Sequence, residues 1–241
     1  KLSPEQLVSF LRVYLWEMSN IIMDKKWFIN KYEWDAIMAL WWVFWEVENY
    51  WIIDACESCL LQQEKLSNLN KKWKDEWKNE LFVRMWLHTG NAIIWNIWSE
   101  GRKMEFTALW DSVNLASRLE GVNKAYNTNI CCSEDIYLEA REKYFFRYLD
   151  KIRVKWKNKW VKIYELMWRI CEMEDYKLDI ISNFNNWILA YIKRDFQKAK
   201  EIFEKLSVVD NPSKIYLQRC EDYISNPPSE DWDWIYVMKT K

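Results

Sequence analysis

The stretch EFTALWDSVNLASRLEG, residues 105–121, predicts the end of a polar strand followed directly by a helix. On that helix Asn114 and Arg118 stand four residues apart, so their side chains project from one face. Thr107 adds a hydroxyl just before the helix. An amide, a guanidinium and a hydroxyl in this order suit a ligand that carries both a base edge and phosphate oxygens. The alternative is an amphipathic helix whose arginine lies on a solvated surface.

Three further stretches accompany this one: KYEWDAIMALW at 31–41, RMWLHTGNAIIWNIWSEGR at 84–102 and VKWKNKWVKIYELM at 154–167. In order and spacing, the four resemble the motifs of the class III nucleotidyl cyclase catalytic domain. The resemblance covers residues 1–170. It implies that the chain converts ATP to 3′,5′-cyclic AMP and pyrophosphate in bacterial cyclic-nucleotide signalling. A non-catalytic nucleotide sensor or scaffold and, less favoured, a guanylate cyclase are the alternatives.

Helical and strand patterns alternate along residues 1–170 without a repeated parallel βαβ rhythm, which favours an α+β fold. Two strands are predicted within 28–40, and a hairpin over 81–97 that turns at Thr89 and Gly90. The resemblance implies a ferredoxin-like core, a mostly antiparallel sheet with helices on one face. It also implies an earlier strand with a first metal-binding aspartate. We therefore expect an N-terminally truncated domain with little or no activity by itself.

The composition changes after Arg169, where strand patterns end and helical ones begin. Trp187, Ala199 and Phe203 match glycine, alanine and phenylalanine positions of one tetratricopeptide-like repeat, and Pro212 lies near its end. One repeat cannot bury its own apolar face, so we expect it to dock on the catalytic domain or on a partner. The predicted domains are a cyclase catalytic domain at 1–170 and a helical C-terminal module at 171–241.

The resemblance assigns the reacting end of ATP to four residues. Asp35 matches the second metal-binding aspartate of the family, and two Mg²⁺ or Mn²⁺ ions are implied for each site. Asn114 and Arg118 match the residues that orient the ribose and stabilise charge on the transferring phosphoryl group. Lys155 matches the lysine that holds the terminal phosphates. Without the motif, a single aspartate at a strand end would be interpreted as a turn residue.

The same resemblance assigns Lys31 and Thr107 to recognition of the base. An ammonium can donate to N1 of adenine and a threonine hydroxyl can accept from its amino group, whereas guanine presents a donor at N1. ATP is therefore favoured over GTP as substrate. In the family the groups of one site come from two subunits, so the resemblance also implies a homodimer with active sites at the interface. Alone, Lys31 would be interpreted as an exposed strand residue.

Tryptophan is abundant and glycine scarce in this chain, with 19 and 3 residues respectively. Average usage would give roughly 17 glycines. A bulky residue at a turn glycine costs about 1–2 kcal/mol for the backbone conformation alone. We therefore hypothesise that the source reads UGA codons as glycine. The predicted glycine positions are Trp34, Trp42, Trp86, Trp95, Trp98, Trp110 and Trp156, whereas Trp41 and Trp232 are interpreted as true tryptophans.

Charge and cysteine usage restrict the remaining possibilities. The net charge of −1 gives no basic surface for nucleic acid, and no apolar run is long enough to span a bilayer. We expect a cytoplasmic domain whose full-length protein is membrane-anchored through an upstream region. The helical pair Cys56 and Cys59 is interpreted as structural, because no second pair accompanies it. His88, the single histidine, is interpreted as a structural hydrogen-bonding residue rather than a general base.

Overall fold

The computed structural model describes residues 3–40, 51–76, 79–99, 103–109, 111–153, 160–172, 184 and 187–237. Within 94–99, 103–109 and 111–120 it describes the backbone, and side chains only at Val113 and Ala116. Among the predicted glycine positions, Trp42, Trp110 and Trp156 lie outside the described residues, as does Trp41.

Helices and strands both contribute to the fold. The helices are α1 (Pro4–Asp24), α2 (Trp51–Asp75), α3 (Asp111–Tyr126), α4 (Glu134–Ala140), α5 (described at 187–192), α6 (Phe196–Leu206) and α7 (Asn211–Ser225). The strands are β1 (Phe28–Glu33), β2 (Ala36–Leu40), β3 (Met85–Leu87), β4 (Ile93–Ser99), β5 (Lys103–Leu109), β6 (Ile130–Ser133), β7 (Tyr144–Arg153), β8 (Trp160–Arg169) and β9 (Tyr236–Val237). The α+β class predicted from the sequence is confirmed.

The chain divides into two compact units. The first contains Lys1–Val83 and Gly90–Asn114, and the second contains Arg84–Thr89 and Leu115–Lys241. Helix α3 therefore begins in the first unit and continues in the second. The domain boundary between residues 170 and 171 stays a prediction.

The first unit is organised around the pair of helices α1 and α2. Helix α1 begins at a capping box: the Ser3 hydroxyl accepts a hydrogen bond from the Gln6 backbone amide (3.3 Å), and the Gln6 side-chain oxygen accepts one from the Ser3 backbone amide (2.9 Å). Pro4 at the first helical position is compatible with this start. The two helices bury a common apolar cluster, formed by Tyr14, Met18, Leu66, Leu69 and Trp73. Two antiparallel hairpins, β1–β2 and β4–β5, complete this unit.

The second unit contains a five-stranded mixed sheet of order β3-β6-β8-β7-β9. Strands β6, β8 and β7 are antiparallel neighbours, whereas β3 and β9 add in parallel at the two ends. The C-terminal end of α3 packs on this sheet, where Val122 and Tyr126 are fully buried against Leu149 and Ile163. Burial of these side chains contributes about 1.5–3 kcal/mol each to folding.

The predicted hairpin over 81–97 is wrong. Strand β3 pairs in parallel with β6, joining Met85 to Ile130, and β4 pairs with β5 instead, joining Ile93 to Leu109. Gly90 therefore lies in a connection between two sheets and not in a tight turn. The pairing with β6 is favoured because the central residue partners, Trp86 and Cys131, lie in the apolar core of the second unit.

The C-terminal helices form an aromatic cluster. Phe184 and Phe203 are fully buried, and the ring of Trp187 packs edge-on against that of Phe203 at 5.9 Å. Trp187 is thus a core residue, although its position matches a glycine of the repeat. Trp232 packs edge-on against Tyr191 at 5.5 Å, and its interpretation as a true tryptophan stays a prediction. None of the helices in the described part of the chain combines the length and apolar character needed to cross a bilayer.

Candidate active site

Lys31 and Asp35 lie on the β1–β2 hairpin, Lys31 in the first strand and Asp35 in the turn. Lys31 is in β1 opposite Met38, and Asp35 is in the two-residue connection closed by the pair Glu33 and Ala36. The Lys31 ammonium forms an ion pair with the Glu33 carboxylate at 2.7 Å, and both side chains are about half exposed. Such exposed pairs contribute about 0–1 kcal/mol, so the lysine can exchange this partner for a ligand at little cost.

The turn itself has a backbone that glycine would favour. Trp34 has φ of 60°, and its side chain is 96% exposed. In two-residue hairpins a positive φ at the first central position is usually occupied by glycine, because a side chain there crowds the following carbonyl. The indole gains no compensating packing from its exposed position. The local geometry at residue 34 therefore agrees with the glycine interpretation of this position.

The charge of Asp35 affects the pKa of Tyr14 in helix α1. Burial and, to a smaller extent, the negative charge of Asp35 raise the pKa of Tyr14 to about 12. Tyr14 belongs to the α1–α2 core, so Asp35 lies close enough to influence a core residue while its own side chain is exposed to solvent. The hairpin thus holds a carboxylate at the edge of an apolar region.

The donor chemistry of Asp35 fits a hard divalent cation. Among the described residues, no three histidine, cysteine, aspartate or glutamate side chains come together as a metal-binding group. Mg²⁺ is commonly held by one or two carboxylates together with the phosphates of its nucleotide. The Asp35 carboxylate is chemically able to supply one protein ligand to such a cation, and its metal-binding role stays a prediction.

Thr107 and Asn114 belong to the same unit as the hairpin. The backbone places Thr107 near the end of β5, opposite Trp95 in β4. Helix α3 begins at Asp111, two residues after β5 ends. The strand-to-helix order predicted from this stretch is confirmed.

Asn114 and Arg118 lie one helical turn apart on α3. A separation of four residues corresponds to about 6 Å along the axis and keeps both positions on one face. Asn114 belongs to the first unit and Arg118 to the second. Their spacing along the chain follows from the helical backbone that contains both. Their functional roles stay predictions.

The C-terminal end of α3 is anchored by polar contacts. The Asn123 side-chain nitrogen Nδ2 donates to the Met85 carbonyl at 2.6 Å, and the Thr128 hydroxyl donates to the Asn123 side-chain oxygen Oδ1 at 2.8 Å. Asn127 ends the helix with φ of 51°, a conformation that asparagine tolerates. This half of the helix is therefore held in one register against β3.

Lys155 lies outside the described residues, in the connection between β7 and β8. The last described pair before this connection joins Arg153 to Trp160. Its assignment to the terminal phosphates accordingly stays a prediction.

The remaining reactive side chains have structural environments. Nδ1 of His88 lies 3.0 Å from the Ser133 hydroxyl, which agrees with the hydrogen-bonding role expected from the sequence. Cys56 and Cys59 are both buried in α2, and burial raises the thiol pKa of Cys59 to about 12. A thiol with so high a pKa is a poor nucleophile and a poor metal ligand at neutral pH.

Sequence reasoning missed two buried charge networks in the second unit. In the first, Arg147 contacts Glu165 and Asp210. In the second, Arg219 contacts Asp150 and Tyr126. The available signal was the presence of Arg147 and Asp150 among the aromatic and aliphatic residues of the strand YFFRYLDKIR, since charged residues are rarely buried unless they are paired.

Comparisons with known proteins agree with these observations. Adenylate cyclase 1 of Rhizobium meliloti is 29% identical over 171 residues, which cover 68% of this chain and 24% of that protein. The terminal-differentiation-specific adenylate cyclase of Dictyostelium discoideum is 30% identical over 231 residues, covering 91% of this chain and 10% of that protein. The chain thus spans a quarter or less of these two relatives. No protein-family model matches it.

The fold is also that of a solved cyclase. The crystal structure of the adenylyl cyclase CyaB from P. aeruginosa superposes with a TM-score of 0.63 at 26% identity, covering 69% of this chain and 85% of that one. The α+β cyclase fold predicted from the sequence is therefore confirmed. The alignment with the Dictyostelium relative covers a larger share of this chain than the alignments with the Rhizobium relative and with CyaB.

Proposed function

We propose that this chain is the catalytic domain of a class III adenylate cyclase, which converts ATP to 3′,5′-cyclic AMP and pyrophosphate. Similarity to adenylate cyclases over most of the chain supports the proposal. The observation that carries it is the position of Asn114 and Arg118 one turn apart on α3, directly after a strand that contains Thr107. A separation of four residues on a helix favours one shared face for the two positions.

The adenine base is recognised by Lys31 and Thr107. Lys31 donates a hydrogen bond to N1 of adenine after leaving its solvent-exposed partner Glu33, whose pairing is weak. Thr107 accepts from the exocyclic amino group. With guanine, the donor at N1 would face the ammonium, and both groups would be left unpaired, which accounts for the choice of ATP.

The ribose and phosphates are held by the residues of α3 and of the β7–β8 connection. Asn114 orients the ribose so that its 3′-oxygen faces the α-phosphorus. Arg118 donates to the phosphoryl oxygens as their negative charge increases in the transition state. Lys155 holds the terminal phosphates that leave as pyrophosphate. Asp35 would hold a divalent cation, Mg²⁺ or Mn²⁺, which would supply activation of the 3′-hydroxyl and charge neutralisation of the triphosphate.

The functional assembly is a homodimer with two active sites at the interface. Lys31 and Asp35 are neighbours on one hairpin, but the first binds the base and the second binds metal at the opposite end of ATP. A two-fold axis resolves this, because each residue then serves a different site.

The remaining proposals concern the domain division of the chain, its tryptophans and its location. Residues 171–241 form a tetratricopeptide-like helical module, and residues 1–170 form the catalytic domain. The tryptophans at the predicted glycine positions are glycines in the native protein, as the positive φ of Trp34 favours; Trp86, Trp95 and Trp98 lie in strands and not in turns. The domain is cytoplasmic, and the full-length protein is anchored in a membrane through other segments.

The test is cyclic AMP production by the protein made from its full gene, compared with its Arg118→Ala variant. We expect Arg118→Ala to lower kcat by about 10²–10³-fold without unfolding the protein. Arg141→Ala is the matched control, because Arg141 is exposed and contacts only Glu142 at 3.7 Å among the ion pairs described. Equal turnover in the two variants, or no cyclic AMP from the folded parent, would contradict the proposal.

A further inference from the structure

Three buried polar side chains form a closed triangle in the second unit. Arg219 donates from Nη1 to the Asp150 carboxylate at 2.6 Å and from Nη2 to the Tyr126 hydroxyl at 2.9 Å. Tyr126 in turn donates its hydroxyl proton to the same oxygen of Asp150. The exposed fractions are 0% for Tyr126, 3% for Asp150 and 8% for Arg219. The triangle joins three elements: α3, β7 and α7.

The chemistry of the triangle fixes geometry more than it adds stability. Taking the charges of Arg219 and Asp150 out of water is costly, and apolar residues of similar volume would often be as stable. The hydroxyl of Tyr126 must accept from one partner and donate to the other, which defines its position. Burial, followed by the charge of Asp150, raises the pKa of Tyr126 well above its usual range, so this proton is retained.

Tyr126 is the last residue of α3, the helix that carries the predicted catalytic residues. Arg118 precedes it by eight residues, about 12 Å along the helix axis. Both belong to the second unit. Because a hydrogen-bonded helix moves as a rigid element over two turns, a displacement at Tyr126 reaches the backbone of Arg118. A misplacement of about 1 Å in a reacting group can lower a rate by about 100-fold.

We propose that Arg219 is a positioning residue for the cyclase reaction, holding α3 in its productive position through Tyr126 and Asp150. The inference rests on the proposed function, and it gives the C-terminal module a role in catalysis. Helix α7 supplies the guanidinium of Arg219. This group contacts Tyr126 at the C-terminal end of α3, whereas Asn114 lies near the N-terminal end. The aromatic rings of Tyr126 and Tyr216 lie 5.5 and 5.1 Å from the guanidinium carbon, so Arg219 is enclosed on two sides.

The test compares two buried tyrosines whose hydroxyls bind different elements of the fold. Tyr126→Phe removes the hydroxyl that joins α3 to Arg219. Tyr216→Phe is the matched control, because the Tyr216 hydroxyl is equally buried and donates to the Leu149 carbonyl, which ties α7 to β7 but not to α3. We measure kcat and KM for ATP, the thermal midpoint, and hydrogen–deuterium exchange of residues 115–126.

For Tyr126→Phe we expect kcat to fall about 10-fold with KM changed less than twofold, and exchange in 115–126 to rise. Tyr216→Phe should lower the thermal midpoint by a similar amount while kcat and exchange in α3 stay at the parent values. Arg219→Lys should reproduce the kcat effect of Tyr126→Phe, because a lysine can pair with Asp150 but has no planar fork to reach both partners.

The outcomes separate this inference from the proposed function. If the folded parent makes no cyclic AMP, the proposed function fails and the catalytic role of Arg219 fails with it, whatever the exchange shows. If the parent is active but both phenylalanine variants lower kcat equally, the effect is general loosening and the positioning role is refuted. An active Tyr126→Phe variant with parent kcat and unchanged exchange in α3 also overturns it.

Discussion

Arg147 and Asp210 form a buried ion pair of 2.5 Å between strand β7 and the residue that precedes helix α7. Asp210 has a second task, since its other carboxylate oxygen accepts from the Ser213 amide at 2.9 Å and thereby caps α7. Glu165 completes the surroundings of the guanidinium. A single aspartate therefore both starts a helix and neutralises a buried charge of the sheet.

Removing that aspartate should cost more than removing an ordinary helix cap. We expect Asp210→Ala to lower the free energy of unfolding by at least about 2 kcal/mol, because it loses the cap and leaves Arg147 with one partner. Asp195→Ala is the control: Asp195 caps α6 by accepting from the Lys198 amide at 3.2 Å, but it is exposed. The control should lose about 1 kcal/mol. Equal losses in urea unfolding would show that the ion pair adds nothing.

The backbone at residue 34 gives a direct test of the glycine hypothesis. A peptide spanning residues 28–40, isolated from the native source, should have the mass expected for glycine at position 34. Tryptophan there would refute recoding at this turn and favour the non-catalytic alternative, because a bulky residue in the metal-binding hairpin departs from the family pattern.

The same position predicts an unusual effect of mutation on stability. In a chain with tryptophan at position 34, Trp34→Gly should raise the free energy of unfolding by about 1–2 kcal/mol, because it relieves a positive φ without losing buried area. Trp16→Gly is the matched control, since Trp16 is also exposed, at 67%, but lies within α1. Glycine there should destabilise by about 0.5–1 kcal/mol. Thermal or urea unfolding that shows the same sign for both would contradict the turn geometry.

Base selectivity can be redirected if the assigned pocket is correct. Lys31→Glu combined with Thr107→Cys should shift the ratio of kcat/KM values from ATP toward GTP, because a carboxylate accepts from N1 of guanine. Lys65→Glu serves as a control of equal charge change: Lys65 pairs with Glu17 at 2.9 Å on the helices of the same unit. The control should leave the ratio unchanged. Undiminished preference for ATP in the double variant would mean that the base lies elsewhere.

Tyr14 gives a pH test of where Asp35 lies. Its pKa of about 12 exceeds the ordinary value of 10, chiefly through burial and then through the charge of Asp35. The unfolded chain therefore loses this proton first, so the stability contributed by Tyr14 is complete below about pH 10 and is lost as the pH rises toward 12. Asp35→Asn should lower the pKa of Tyr14 but leave it above 10.

The measurement is an NMR titration of labelled tyrosines, with the signal assigned by Tyr14→Phe. Glu33→Gln is the control, because Glu33 lies on the same hairpin but is paired with Lys31. A Tyr14 pKa that responds equally to both changes would show that the hairpin charges act without specificity.

Local signals explain why much of the fold could be predicted. Three features depend only on residues close together in the sequence. They are the cap at Ser3, the hairpin that turns at Trp34 and the change from strand to helix before Asn114. Their propensities and periodicities are contained in the sequence window itself.

The pairing of β3 and the buried triangle could not be predicted in the same way. Strand β3 has three residues, and its partner β6 begins 45 positions after Met85, so no local pattern selects it over the adjacent β4. Arg219 and Asp150 are 69 residues apart. Which charged residue becomes buried depends on how helices dock on the sheet, a property of tertiary packing that periodicity does not contain.

Strand β9 is short, but its position has a consequence for the behaviour of the protein in concentrated solution. Tyr236 and Val237 pair with Ile152 and Arg153 at the C-terminal end of β7, along the edge of β7 opposite β8. Unpaired strand edges are templates for aggregation, because their amides and carbonyls can accept a strand from another molecule. At this end of β7 an incoming strand must first displace the tail. The two residues therefore cover the part of the β7 edge at Ile152 and Arg153 against pairing with another molecule.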